Sequence, residues 1–381
     1  MAIETQACKV CGIGALEEVI EYRRLPRISS DCVPFRSGGR LMTCQQCGAA
    51  QSPADKQWFA EIAEIYGSYQ YYQQSGGVEQ HVLDPATGSL RRRSEVLLDR
   101  LESIPDFPRQ GSIVDIGCGG GGTLRAFAAR GSWRLFGLEI DNRHQPSLLS
   151  IPGFDTLYTG ELRDLPRQFD VVTMVHALEH FPEPLIALRD LRPKIAPAGF
   201  LFVEVPNAAA NPFEYLIADH MVHFTPSALS ALATRAGFSV ESLATDWVSK
   251  ELSLTARPAE VSVRPGEQAI ADVAVGLRAQ LDWLSRLAEA ARAALLKAPS
   301  FGLFGSAIAA SWLGGQLADG VSFFVEEDVN RVGRSHMGKQ ILAPAEVPAG
   351  SVVFVPLIPA IAKQVGARLA SFPIDLRLPP D

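Results

Sequence analysis

Hydrophobic positions between residues 111 and 255 fall into short apolar runs separated by helix-like segments. Runs of strand length occupy residues 113–114, 135–138, 171–175 and 200–205. The segments between them carry apolar residues at helical spacing. Alternation of this kind is typical of a mostly parallel sheet covered by helices, so the pattern predicts an α/β domain over residues 109–260.

The regions on either side of this domain follow different patterns. Residues 54–108 contain helically spaced apolar positions and a tyrosine-rich stretch, with a second helix predicted over residues 88–104. A long amphipathic stretch predicts a connecting helix over residues 261–297. Strand-like runs then return at 300–304, 321–325 and 352–355, which predicts a second, smaller α/β domain over residues 298–381.

Composition narrows the classes of function. The 381 residues give room for two or three domains, and the formal net charge of −7 argues against a nucleic-acid partner. The one compact basic cluster, Arg91 to Arg93, is interpreted as a solvated helix face. Neither a signal-peptide pattern nor a stretch of about 18 apolar residues is present, so we expect a cytoplasmic protein without a membrane partner. The oligomeric state stays open.

Five of the six cysteines lie in the first 53 residues, and four of them form two Cys-x2-Cys pairs, Cys8/Cys11 and Cys44/Cys47. Cytosolic thiols stay reduced, so these cysteines need a reason other than a disulfide. Two such pairs provide four thiolates, which close the tetrahedral coordination of Zn²⁺. The spacing predicts that residues 1–53 form a small module around a structural zinc ion.

A glycine-rich loop follows the first apolar run of the central domain. The segment reads Asp115-Ile116-Gly117-Cys118-Gly119, and Glu139 ends the next run about 20 residues later. Glycines at a strand-to-helix turn let a ligand approach the backbone, and an acid ending the second strand suits ribose hydroxyls. An acid at Asp115, two residues before the first glycine, suits the amino group of an amino-acid ligand better than a dinucleotide.

These features resemble the class I S-adenosylmethionine (SAM)-dependent methyltransferases, whose central domain has a Rossmann-like fold. The resemblance implies that Asp115, Gly117, Gly119 and Glu139 bind SAM. Residues 160–166 resemble the family's adenine-side segment and place Glu161 there. Residues 169–180 resemble its fourth strand and exit, which places His176 and His180 beside the methionine part of the cofactor. Residues 197–207 resemble the fifth strand, with Asn207 on the substrate side.

The order of the regions is similar to that of the zinc-containing nucleotide-sugar C-methyltransferases, which act on 4-keto-deoxysugars. Their reactive Glu-His segment matches residues 219–225 here, with Asp219 in place of Glu and His223 in place of Tyr. The resemblance implies that His220 removes a proton beside the ketone, while Asp219 orients the imidazole or raises its basicity. The resulting enolate would attack the methyl group of SAM, and His223 or tyrosine hydroxyls would stabilise it. The linker residues with implied roles are Tyr69 and Tyr71 in catalysis and Tyr72 in substrate binding.

The last region departs further from that family, because its first glycine segment lacks the usual lysine. Gly302 and Gly305, at a strand-to-helix turn, would admit a diphosphate against backbone amides. Arg331 would supply charge to the same substrate. A solvated loop is the plainer alternative.

Three alternatives to sugar C-methylation stay open. The enzyme would instead methylate oxygen or nitrogen of a sugar or another small metabolite, and the need for a base does not separate these reactions. A protein of another class, a non-catalytic SAM- and zinc-binding scaffold, is the second alternative. Nucleic-acid binding through the zinc module is the third, and the acidic balance disfavours it.

Overall fold

The computed structural model describes residues 7–70, 79, 81–259 and 271–381, with backbone only for 271–275. Tyr71, Tyr72 and the first part of the connecting helix predicted over 261–297 lie outside the described residues. No helix in the described part of the chain is long and apolar enough to cross a membrane.

The first hundred residues contain short strands and two helices. They are β1 (Leu16–Glu18), β2 (Arg27–Ile28), β3 (Pro34–Phe35), β4 (Met42–Cys44), β5 (Ala50–Gln51), α1 (Lys56–Ser68), β6 (His81–Leu83), β7 (Leu90–Arg92) and α2 (Arg93–Glu102). Helix α1 begins at an Asp55 side chain that accepts a hydrogen bond from the Trp58 amide at 2.9 Å. The helix predicted from residue 88 was wrong in its start, because β6 and β7 pair as a hairpin and α2 begins only at Arg93.

The central domain follows the predicted alternation of strands and helices. Its elements are β8 (Gly111–Ile116), α3 (Gly122–Ala128), β9 (Trp133–Glu139), α4 (Gln145–Leu148), β10 (Phe154–Thr159), β11 (Phe169–Val175), α5 (Pro184–Leu191), β12 (Ile195–Pro206), β13 (Val222–His223), α6 (Pro226–Arg235), β14 (Phe238–Ala244) and β15 (Glu251–Pro258).

Seven of these strands form one sheet in the order β10-β9-β8-β11-β12-β15-β14. The first five are parallel to one another, whereas β15 runs antiparallel to both β12 and β14. Strands β8, β11 and β12 are buried over most of their length, as expected for a sheet covered on both faces. Their carboxyl ends therefore meet at one edge, where ligands bind in open α/β sheets.

The short strand β13 does not join this sheet. It pairs antiparallel with β5 and so completes a four-stranded sheet in the order β1-β4-β5-β13. The cysteine-containing region accordingly has no core of its own: Cys8, Val10 and Cys44 pack in one hydrophobic cluster with Met221 and Phe224.

The C-terminal third contains α7 (Ala271–Leu295), β16 (Phe301–Phe304), α8 (Ile308–Leu317), β17 (Phe323–Val325), β18 (Ser335–His336), β19 (Lys339–Leu342), β20 (Val352–Phe354), α9 (Pro359–Leu369) and β21 (Asp375–Arg377). Its strands form a second sheet in the order β18-β19-β17-β16-β20-β21. All pairs are parallel except the hairpin of β18 with β19. Trp312 of α8 is buried and donates a hydrogen bond to the Pro26 carbonyl at 2.7 Å, which ties this sheet to the N-terminal region.

Candidate active site

The glycine-rich loop lies between the end of β8 and the start of α3. Gly117 has a φ of +71°, and a Cβ there would lie 3.0 Å from the Cβ of Ala177. A side chain at this position would therefore be strained in backbone conformation and crowded. The Gly119 amide donates a hydrogen bond to Glu139 Oε1 at 2.5 Å, which links the loop to the end of β9.

Asp115 lies buried just before this loop. Its Oδ1 accepts a hydrogen bond from the Thr173 hydroxyl of β11 at 2.6 Å. Burial raises the pKa of Asp115 to about 7, so a cationic ligand group would favour its ionised form. The predicted SAM ligands Asp115, Gly117, Gly119 and Glu139 thus meet at one edge of the sheet.

Glu161 follows β10, the strand next to β9, but its side chain is 62% exposed and pairs with Arg163. It lies on the same edge of the sheet as Glu139, at the outermost of the parallel strands. The role of this exposed side chain toward the adenine stays a prediction.

A buried carboxylate that the sequence reasoning missed joins the two histidines of the reactive segment. Glu214 Oε1 accepts a hydrogen bond from Nδ1 of His220 at 2.6 Å and from Nδ1 of His223 at 3.1 Å. All three side chains are at most 3% exposed. The only sign of this contact in the sequence is that Glu214 lies six residues before His220. The segment between them is irregular, so no helix or strand spacing predicts that the two side chains meet.

This contact sets the charge of the cluster. Burial by itself would lower the pKa of His220, but the Glu214 carboxylate outweighs it and raises the pKa to about 9. Burial would likewise raise the pKa of Glu214, whereas the two histidines lower it to about 2. The two shifts agree and describe a buried ion pair that binds one proton strongly.

Asp219 contacts other groups than the predicted ones. Its two oxygens accept hydrogen bonds from the Ser30 amide at 2.8 Å and the Ser30 hydroxyl at 2.5 Å. Glu214, and not Asp219, binds the His220 ring, so the prediction that Asp219 orients the imidazole was wrong. The Asp219 charge does help to raise the pKa of His220, as the other half of that prediction had it. The Ser30 and Tyr69 hydroxyl oxygens lie 3.1 Å apart, so Tyr69 does lie beside the reactive segment.

His180 and His176 flank this cluster. The His180 ring lies 4.6 Å from the His220 ring, and its Nδ1 is 3.1 Å from the Tyr66 hydroxyl. His176 follows β11 with a φ of +51° and lies 3.3 Å from Glu179 and 3.4 Å from Glu251. Burial lowers the pKa of both histidines, that of His180 to about 4.

Two acids and one arginine near His176 were not expected in the site. Burial raises the pKa of Glu179 to about 8 and that of Glu251 to about 7. Neither oxygen of Glu179 has a hydrogen-bond partner among the described residues. Arg93 is 9% exposed and lies 3.6 Å from Glu251, so the prediction of a fully solvated basic face was wrong for this member of the Arg91–Arg93 cluster.

Asn207 directly follows β12 and is 5% exposed. Its amide donates to the Lys250 carbonyl at 2.8 Å and its Oδ1 accepts from the Ala209 amide at 3.1 Å. These bonds give Asn207 a place in the turn, and a substrate contact stays a prediction.

The four paired cysteines converge on one point. Sγ atoms of Cys11 and Cys44 are 3.5 Å apart, and those of Cys8 and Cys47 are 3.6 Å apart. Tetrahedral ligands at about 2.3 Å from zinc lie about 3.8 Å from one another, whereas a disulfide needs about 2.05 Å. The arrangement of these sulfurs fits a zinc ion. Cys118 is buried in the glycine loop, and neither it nor Cys32 joins the cluster.

Of the three C-terminal residues predicted to bind substrate, one lies away from the predicted turn and two lie in or next to it. Gly302 lies inside β16, and a Cβ there would meet the Phe323 ring at 2.2 Å. Its predicted place in a phosphate-binding turn was wrong, because close strand packing explains the glycine. Gly305 does form the turn, with a φ of +88°. Arg331 is buried and donates to Ser306 Oγ at 3.1 Å and Glu326 Oε1 at 3.0 Å.

Comparison with known proteins relates the central domain to methyltransferases. Residues 89–243 match a family model described as a methyltransferase domain. A ubiquinone biosynthesis O-methyltransferase of Pseudomonas fluorescens (strain SBW25) is 29% identical over 155 residues, 34% of this chain and 66% of that relative. Its counterpart in Aeromonas salmonicida (strain A449) is 31% identical over 159 residues, 34% of this chain and 64% of that relative.

The fold is also similar to a solved structure of the Burkholderia thailandensis 1,6-didemethyltoxoflavin-N1-methyltransferase, which contains 1,6-didemethyltoxoflavin and S-adenosylhomocysteine. The match covers 56% of this chain and 96% of that chain. Its identity of 18% and TM-score of 0.40 are too low for an inference about the acceptor of this chain.

The strand order, the glycine loop with its two acids and the family match agree. The central part of the chain is a class I SAM-dependent methyltransferase domain. The expectation of a Rossmann-like sheet is confirmed. The chain spans only about two thirds of the length of the curated relatives it matches.

Proposed function

We propose that the chain transfers the methyl group of SAM to a small-molecule acceptor that must lose a proton. The observation that carries this proposal is the buried Glu214–His220–His223 cluster on the acceptor side of a SAM domain. Its carboxylate makes His220 a stronger base than a free imidazole. Asp115 and Glu139 would hold the amino-acid and ribose parts of the cofactor.

For the acceptor we favour a carbon next to a ketone in a nucleotide-linked deoxysugar. Such a carbon becomes nucleophilic only after its proton is removed, and His220 would receive that proton. His223, held by the same carboxylate, and Tyr69 would donate hydrogen bonds to the enolate oxygen. The segment-by-segment likeness of residues 219–225 to the sugar C-methyltransferases supports this choice.

O-methylation is the second candidate, because the curated relatives are named O-methyltransferases. A hydroxyl acceptor would use the same base, so the geometry of His220 does not separate the two. The likeness to those relatives covers about a third of this chain. The family model matches residues 89–243, so it includes neither the cysteine region nor the C-terminal sheet.

One experiment separates these reactions. The zinc-loaded full chain is incubated with methyl-labelled SAM and a panel of nucleotide 4-keto sugars and simple phenols, and the products are analysed by mass spectrometry and NMR. We expect one label on carbon of a keto sugar, and exchange of its α-proton for deuterium when SAM is omitted. Label on oxygen without such exchange would contradict C-methylation and establish the second candidate. No label on any acceptor would reject both.

A further inference from the structure

The segment that carries the proposed catalytic histidines is held by the cysteine-containing region. Strand β13, which contains His223, pairs with β5 in the register Val222 to Gln51 and His223 to Ala50. Strand β5 pairs in turn with β4, whose last residue is Cys44. A single strand, β5, therefore separates the strand of a site histidine from the strand that ends at a predicted zinc ligand.

Hydrogen bonds extend this contact residue by residue before β13. The Ala218 amide donates to the Ile28 carbonyl at 2.8 Å, and the Ala218 carbonyl accepts from the Trp58 indole at 3.1 Å. Ser30 binds both oxygens of Asp219.

Ser52 makes two bonds to the next pair of residues. Its hydroxyl donates to the His220 carbonyl at 2.9 Å, and its amide donates to the Met221 carbonyl at 2.8 Å. Each residue from 218 to 223 thus has a backbone or side-chain partner in residues 28–58.

Both cysteine pairs are connected to β5. The Cys44 amide donates to the Ala49 carbonyl at 2.9 Å, directly before β5 begins. From the other pair, the Lys9 amide donates to the buried side chain of Gln51 at 2.8 Å. Each cysteine pair is hydrogen-bonded to β5 or to the residue before it. A metal ion that joins the two pairs would therefore fix β5 from both sides.

We propose that zinc at the four cysteines positions the methyl-acceptor site, with β5 and Ser52 as the positioning elements that hold residues 219–223 in place. The inference rests on the proposed function for its kinetic consequence, whereas its structural consequence stands alone. Loss of zinc would release the reactive segment while the SAM-binding loop, held by β8, β9 and β11, keeps its geometry.

Hydrogen–deuterium exchange on the full chain tests this directly. Backbone exchange is measured by mass spectrometry for the zinc-loaded protein, for the protein stripped by a chelator, and after zinc is returned. We expect exchange of residues 219–224 to rise at least about tenfold on stripping, with residues 111–139 changed less than about twofold. The affinity for SAM, measured by calorimetry, should change less than about twofold.

Variants supply the kinetic part of the test. Ser52→Ala should lower kcat about tenfold with unchanged SAM affinity, and Ser52→Thr, which keeps a hydroxyl, should restore most of it. Gln46→Ala, an exposed position between Cys44 and Cys47, is the matched control and should leave kcat unchanged.

Three results would overturn the inference. The first is absence of bound zinc in the purified chain, and the second is unchanged exchange of residues 219–224 after zinc is removed. The third is an equal rise in both segments, which would mean that zinc only supports the fold as a whole. Failure to methylate any acceptor would reject the proposed function but leave the exchange result to decide this inference.

Discussion

The two mostly parallel sheets of this chain contain the same loop-to-acid hydrogen bond, but the acid has different further partners in each. In each, an acid at the carboxyl end of the second strand accepts a hydrogen bond from the loop after the first strand. Glu139 accepts from the Gly119 amide at 2.5 Å, and Glu326 accepts from the Ser306 amide at 2.9 Å. Both acids lie 20 positions after their donors.

The difference lies in what else each acid binds. Glu326 Oε1 also accepts from the Ser306 hydroxyl at 2.7 Å and from Arg331, so its charge is neutralised inside the protein. Within the described part of the chain, Glu139 accepts one further hydrogen bond, from the Ile140 amide at 3.2 Å. We infer that the loop of the second sheet serves stability, whereas the loop of the first sheet leaves Glu139 free to bind the proposed cofactor. Similar topology therefore does not imply a similar site.

The largest expected effect concerns the closed loop. Arg331→Met should lower the free energy of unfolding by about 3–5 kcal/mol, because it leaves Glu326 in place without its buried cation. Denaturant unfolding of the full chain, followed by exchange in residues 301–326, measures the loss. A loss below about 1 kcal/mol would mean that the second loop is as open as the first.

Chemistry is expected only at the edge of the first sheet. His220→Asn should lower methyl transfer about 10²-fold or more, since it removes the proton acceptor but keeps an N–H group that can donate to Glu214. SAM affinity and thermal unfolding should stay near those of the native chain, and Glu289→Gln, on the exposed face of α7, serves as the control. Near-normal turnover of His220→Asn would reject His220 as the base.

SAM affinity should depend on Glu139 and not on Glu326. Glu139→Gln should weaken SAM binding about tenfold, because hydrogen bonds to a charged group are worth about 1.5–3 kcal/mol. Glu326→Gln should leave SAM affinity within about twofold. Calorimetric titration of each variant with SAM checks this pair, and equal losses would place a second SAM-binding loop in the C-terminal sheet.

The smallest effect is a pH dependence in the first sheet. The pKa of Glu214 is lowered to about 2, so its ion pair stabilises the fold above about pH 4.5 and this is lost as pH falls toward 2. The pKa of His220 is raised to about 9, so its contribution is full below about pH 6.5 and is lost as pH rises through 9.

The difference in Tm between the native chain and Glu214→Gln should therefore be greatest between about pH 4.5 and 6.5 and shrink on both sides. For the same reason, kcat of the native chain should rise with pH toward about 9, and Glu214→Gln should move that rise to lower pH. A Tm difference independent of pH would mean that Glu214 and His220 are not an ion pair.

Most of the first site's cofactor side could be predicted from the sequence, because it is local. Asp115, the glycines and Glu139 follow consecutive strands, and the βαβ connection alone brings them together. The two cysteine pairs could also be recognised from the sequence, since each pair lies within four residues, and the structure brings the four sulfurs together. In both cases short spacing carries the geometry.

The acceptor side could not be read in the same way. Glu214, Ser30, Arg93 and Glu251 come from four separate stretches of the chain and meet only through packing. Asp219 is adjacent to His220 in sequence, yet its side chain binds Ser30 on the cysteine-containing region. The His220 side chain binds Glu214 instead, so adjacency in sequence was a poor guide to contact.

The sequence by itself determined the class of domain, the alternation of strands and helices and the positions of the two Cys-x2-Cys pairs, because periodicity and short spacing act locally. Only the tertiary structure decided that β13 completes the sheet of the cysteine region, that Glu214 pairs with both histidines and that Arg331 closes the second loop. These contacts join residues held together by burial, and burial depends on the whole fold.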